Sequence, residues 1–172
     1  MENNVGIGIK LRLKALFIDY LCILAYLVIF FIIMISIYTF ILNEIPEVTE
    51  TQTQWITFLT TVFPVTVYFI LKEARKPYVS FGKKKVGLKI NYTGDPIKGS
   101  VIRNVLKFLP WHFGHVSVIK AAYSNAFTIP AALYYGLSII LLVTYILMAI
   151  FRRDHRHLPD LLSGSQVIKA TE

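Results

Sequence analysis

YLCILAYLVIFFIIMISIYTFIL, residues Tyr20–Leu42, runs for 23 positions without an acidic or basic side chain. At about 1.5 Å per residue this is roughly 34 Å of helix, enough to cross a hydrocarbon core of about 30 Å. Backbone N–H and C=O groups have no water to bond inside lipid, so the segment is predicted to be a helix that spans from about residue 15 to 42. A cleaved leader would need an apolar region of about 7 to 15 residues and a small-residue cleavage site. Neither follows here, and the segment is expected to stay in the mature protein.

The rest of the chain agrees with lipid as its solvent. Of 172 residues 55% are hydrophobic and 16% charged, against about 25% charged in ordinary soluble domains. No Gly-, Ser- or Pro-rich linker divides the sequence, which predicts one domain over residues 1–172. The only cysteine, Cys22, excludes an intrachain disulfide and a Cys-based metal site.

Beyond the first span, Asn43 to Gln54 is a polar loop holding Glu44, Glu47 and Glu50. Residues 55–71 form a second, short apolar stretch flanked by Trp55 and Tyr68, with Pro64 placed to kink it. Residues 72–100 read as an extramembrane loop. Alternation at Val86, Leu88 and Ile90 and a Thr93-Gly94-Asp95-Pro96 turn predict a short β-hairpin-like excursion there. Phe127 to Phe151 is a charge-free run of 25 residues, the last span.

Residues 101–122 are apolar on average but carry Arg103, Asn104, Lys107, His112, His115 and Lys120, and are interrupted by Pro110 and Gly114. They fit an interfacial helix, a re-entrant helix or a polar span packed inside the bundle. Charge bears on the choice. Lys and Arg number three before the first span, none in the Glu-rich loop, eleven from Lys72 to Lys120 and four after Phe151. The rule that cytoplasmic flanks are basic puts the N-terminus and the 72–100 loop inside. With three crossings the tail, 152–172, would lie outside against that rule. The fold class is therefore predicted as an all-α membrane protein with four membrane-embedded helical segments, the third weak, and both termini cytoplasmic.

Arg12 and Asp19 are seven residues apart and share one face of the first helix. An ionisable group such as Asp19 at the edge of hydrocarbon is costly unless paired or watered, which makes it a functional candidate; the plainer alternative is a structural clamp at the helix end. Asp160 stands in HRHLPDLLSGSQVI after Arg152, Arg153 and Arg156. A tail folding back under the bundle would bring it near Arg103 or Arg12. Arg152 and Arg153 fit a solvated basic tail attracted to anionic lipid headgroups.

These pieces, RLKALFIDY, FGKKKVGLKI, SVIRNVLKFLPW and LPDLLSGSQVI in that order, resemble the RDD family of bacterial membrane proteins from about Lys10 to Ile168. The resemblance implies that Arg12, Asp19 and Asp160 are the residues for which the family is named. It also matches Gly82, Lys83, Gly87, Arg103, Asn104 and Gly164 to other family positions. Pro159 and Ser165 depart from it, since many members have His and Thr there. It implies membrane transport, including cation/proton exchange in some members, and a place in the bacterial cytoplasmic membrane.

His112 and His115 are three apart and titrate near neutral pH, so they are candidates for a proton relay. No HExxH or Cys pattern accompanies them, and no metal or other cofactor is expected. Neither a phosphate-loop spacing nor a nucleophile elbow occurs, and an enzyme is not expected. Nucleic acid is not an expected partner, because the net charge of +8 hugs one membrane face. Two functions are expected from the polar cluster of Arg12, Asp19, Arg103, Asn104 and Asp160. One is a small-ion transporter or transporter subunit, which four short helices would support best as a homo-oligomer. The other is a non-catalytic scaffold or accessory protein in which the charges staple the bundle and the basic 72–120 region docks anionic lipid or a cytosolic partner; a membrane-protein partner is the alternative to a homo-oligomer.

Overall fold

A computed structural model describes residues 7–42 and 46–170; Glu44 of the acidic loop lies outside them. Helix α1 (Ile9–Ile37) continues into a π-helical turn at Tyr38–Leu42. Helix α2 (Glu50–Thr57) runs through a second π-helical turn, Phe58–Val62, into α3 (Phe63–Ala74). A short α4 (Phe81–Lys85) and strand β1 (Leu88–Tyr92) precede α5 (Pro96–Ser124). Helix α6 (Ile129–Phe151), a short α7 (Leu158–Leu162) and β2 (Ser165–Lys169) follow. Three stretches, Ile9–Ile41, Glu50–Ala74 and Ile129–Phe151, are long and apolar enough to cross a membrane. Their outer faces expose large apolar side chains such as Leu24, Phe31, Ile140 and Leu147, as helices solvated by lipid do.

Local chemistry sets the helix boundaries. Thr49 and Gln52 close a reciprocal capping box at the start of α2. Asp95 accepts from the Ile97 N–H and Pro96 opens α5, so the Gly94-Asp95-Pro96 turn starts a helix rather than returning a second strand. The expected hairpin within 72–100 is thereby corrected. Strand β1 instead pairs antiparallel with β2 from the tail, Ile90 opposite Val167. A two-stranded sheet alone is marginal; this one packs Leu88 and Val167 against Ile7, just before α1, and Ala15 in its second turn.

Both prolines inside the bundle free a carbonyl that a tyrosine from another helix satisfies. Pro64 has no N–H for the Thr60 carbonyl, which accepts from Tyr26 Oη at 2.6 Å. Pro110 leaves the Leu106 carbonyl free, and Tyr145 Oη donates to it at 2.9 Å. Ser138 Oγ bonds the Pro110 carbonyl at 2.7 Å beside Gly114, and Ser117 Oγ bonds the Ala131 carbonyl at 2.8 Å. Helix α5 is therefore one continuous helix of 29 residues, about 43 Å long, and is not interrupted at Pro110 or Gly114.

Contacts at its two ends show how far α5 reaches. Near its start Ser100 Oγ bonds the Ile70 carbonyl at the end of the second stretch. Near its finish Lys120 pairs with Glu50 at 2.8 Å and Tyr123 donates to the Val48 carbonyl, at the beginning of that stretch. Helix α5 thus runs alongside the whole of α2–α3. An apolar cluster of Val62, Val65, Phe69 and Phe108, with Ile23, Tyr26 and Trp111 against it, joins α1, α3 and α5.

Candidate functional site

The start of α1, the end of α3, the start of α5, the α4–β1 segment and the α7–β2 tail meet at one end of the bundle. Asp19 is nearly fully buried there. Its carboxylate accepts from Ser80 Oγ at 2.6 Å and from the Gly82 N–H at 2.7 Å, the N-terminal turn of α4. Gly82 is demanded by this approach, because a Cβ would overlap the Ala15 carbonyl oxygen and press on the Asp19 carboxylate. The FGKKK stretch is therefore the mould into which Asp19 fits. Arg12 does not pair with Asp19. Its guanidinium donates to the carbonyls of His155 at 2.6 Å and Val167 at 3.2 Å, gripping the tail by its backbone.

The centre of the network is Glu73, wholly buried at the end of α3. Lys83 Nζ and Arg103 Nη1 each donate to it at 2.6 Å, and Asn104 Nδ2 at 3.0 Å. Arg103 uses its Nε to bond Asp160 at 2.7 Å. Asp160 also receives Ser165 Oγ at 3.3 Å and has His157 Nδ1 3.0 Å away. Lys83 Nζ reaches Ser80 Oγ at 3.2 Å, so one unbroken path runs Asp19, Ser80, Lys83, Glu73, Arg103, Asp160 across five segments. Burial raises the cost of charge on Asp160, but Arg103 and then His157 more than offset it and hold the carboxyl well below its usual range.

Arg103, Asn104 and Asp160 thus converge as the tail was expected to allow, and Asp19 joins them through Ser80 and Lys83. His112 and His115 do not. His112 lies edge-on to Phe58 and His115 beside Trp111, partway along α5 and away from the acids. Sequence reading missed Glu73 and assigned no role to Ser80 or Ser165. The signal for Glu73 was faint: it is the only acid between Glu50 and Asp95, inside the basic run that follows the second apolar stretch. Pro159, a departure from the family pattern, is buried in the first turn of α7, and His157 supplies an imidazole to Asp160 from the cap position.

Beside the network lies a cleft of about 510 Å³ between α1, α5, α6 and the tail. Arg12, Asp19, Arg103, Lys107 and Asp160 line one end, and Leu13, Leu16, Leu142, Ile146 and Ile150 form its walls. Among the described residues no three His, Cys, Asp or Glu side chains gather to hold a metal ion.

Apolar helices of spanning length, closed at one end by a buried ionic network, define a multi-pass protein of the membrane type. The model of the RDD family matches residues 8–164, and the chain belongs to the RDD family. No curated protein and no solved structure matches it.

Proposed function

We propose that this RDD protein is a non-catalytic accessory or scaffold protein of the bacterial cytoplasmic membrane, in which the Arg/Asp cluster with Glu73 is a clamp. The observation that carries this reading is the saturation of the acids. Asp19, Glu73 and Asp160 are each buried and each already hold two or three donors. A cation would have to break two charge-assisted bonds to enter at Glu73, and such bonds are the strong ones. In this reading α5 is a fourth membrane-embedded helix, since it runs beside α2–α3 for their full length. The N-terminus, the 72–100 loop and the tail then share the cytoplasmic face. Of the eleven basic residues between Lys72 and Lys120, only Lys120 sits at the far end, neutralised by Glu50.

A second reading, small-ion transport, is favoured by one observation: Asp19 and Asp160 line the cleft as well as the network. Release of Arg103 from Asp160 would then free a carboxylate for a cation. Proton and cation flux in reconstituted vesicles separates the two. The clamp reading expects flux no greater than in empty vesicles, with Asp19→Asn lowering stability. Flux by the natural chain that Asp19→Asn abolishes, with the variant still inserted and folded, would overturn the clamp. Lys169→Cys in a Cys22→Ser background should resist a membrane-impermeant thiol reagent in intact cells; labelling there would overturn the inward tail.

A further inference from the structure

We propose that the cleft between α1 and α6 is a binding site for one membrane phospholipid with an acidic headgroup, seated from the same leaflet as the ionic network. This goes beyond the clamp and does not depend on it. The inference starts from a mismatch of charge. Arg12, Lys83, Arg103 and Lys107 line the cleft against Asp19 and Asp160. Lys83 and Arg103 are matched by Glu73 and Asp160, whereas Arg12, Lys107 and Asp19 form no ion pair among the described residues, which leaves the group with one positive charge in excess. Lys107 holds its ammonium 4.2 Å from the ring centre of Phe69 and 5.1 Å from that of Phe108, a cation over aromatic faces with no described carboxylate at ion-pair distance. Arg12 keeps a buried Nε with no hydrogen-bond partner.

The walls supply the second half of the ligand. Leu13, Leu16, Leu142, Ile146 and Ile150 are each about half exposed, so the cleft opens sideways along apolar surface. Helix α1 packs its first turns on α4, while no comparably close packing joins it to α5 or α6. From Arg12 to Ile23 along α1 is about 16 Å, and from Ile150 back to Leu142 about 12 Å. Both are near half of the roughly 30 Å hydrocarbon thickness, the depth of one acyl chain in one leaflet. The volume lies within the range of about 300 to 1,000 Å³ typical of ligand sites. An anionic phosphate at Arg12 and Lys107, with its chain between α1 and α6, satisfies both the charge and the shape.

Tryptophan quenching tests this directly. The chain has two tryptophans, and Trp111 lines the cleft while Trp55 lies exposed at the other end of the bundle. In a Trp55→Phe protein reconstituted in phosphatidylcholine vesicles, phosphatidylglycerol brominated on its acyl chains should quench Trp111 at about fivefold lower mole fraction than brominated phosphatidylcholine. Lys107→Gln should erase that preference. Ile146→Phe, which narrows the wall and keeps every charge, should weaken quenching by the acidic lipid and serves where Lys107→Gln fails to fold. Equal quenching by both lipids, or a preference untouched by Lys107→Gln and by Ile146→Phe, would overturn the site. So would displacement of the acidic lipid by inorganic phosphate, which would assign a free anion. Displacement by a fatty acid at equal concentration, or a dimer that shields Trp111 from both lipids, would overturn it as well.

Discussion

Glu73→Gln is the most searching perturbation of the network. The carboxylate is wholly buried and lies 2.6 Å from Lys83 Nζ and 2.6 Å from Arg103 Nη1. An amide of the same shape removes the charge between two cations and turns an N–H₂ toward one of them. Arg103 keeps Asp160, but Lys83 keeps only Ser80 among its described hydrogen-bond partners. Breaking a buried ion pair by deleting one partner costs about 3 to 5 kcal/mol, because the other charge is left uncompensated. For a chain of this size about 1 kcal/mol moves the unfolding midpoint by roughly 2 to 4 °C, so Glu73→Gln should lower it by roughly 6 to 20 °C. Thermal unfolding in detergent, followed by Trp111 emission in a Trp55→Phe background, measures the drop. Lys83→Met added to Glu73→Gln should recover part of the loss by removing the stranded ammonium, a coupling that a double-mutant cycle reads out. A Glu73→Gln midpoint within about 2 °C of the natural chain would refute Glu73 as the centre of the clamp.

Tyr145→Phe should cost about 0.6 to 1.7 kcal/mol by orphaning the Leu106 carbonyl. In a Pro110→Ala background, where residue 110 regains its N–H, the same change should be near neutral; unfolding midpoints of the four proteins check this. Because the Asp160 carboxyl is held below its unfolded value, its stabilisation is full above the ordinary carboxylate range near 3.8 and is lost as pH falls below it. The unfolding midpoint of the natural chain should therefore drop between about pH 4.5 and the folded value, whereas Asp160→Asn should be less stable at pH 7 and lose part of that acid sensitivity, the share that Glu73 does not carry.

The spans that dominate the fold were legible because a charge-free run of 23 or 25 residues has one economical structure in lipid. Asp19, Arg103 and Asp160 were legible for a related reason: an ionisable side chain on an apolar helix, or among turn residues behind a basic cluster, stands out locally. Helix α5 was harder to read, since Arg103 and Lys107 argued against a buried helix until Glu73 and two aromatic rings supplied their company. Pro110 looked like a break because its effect is local, while its remedy, Tyr145, is 35 positions later. The partner of β1 escaped notice in the same way. A five-residue strand announces its alternation but not its neighbour, and Val167 is 77 residues beyond Ile90. Glu73 was hidden by its surroundings, being one acid in a basic stretch that topology alone explains.

The tail's place in the network gives this protein an order of assembly. Arg103 is synthesised and threaded into position well before Asp160 exists, and Arg12 waits longer still for the Val167 carbonyl. Until α6 has been inserted and the following turn and strand have left the ribosome, one buried and one half-buried guanidinium group, Arg103 and Arg12, have only part of their eventual company. A chain stalled or cut after α6 would hold its helices yet keep raw cationic surface at the end of the bundle where the network lies. Closure of the tail conceals that surface.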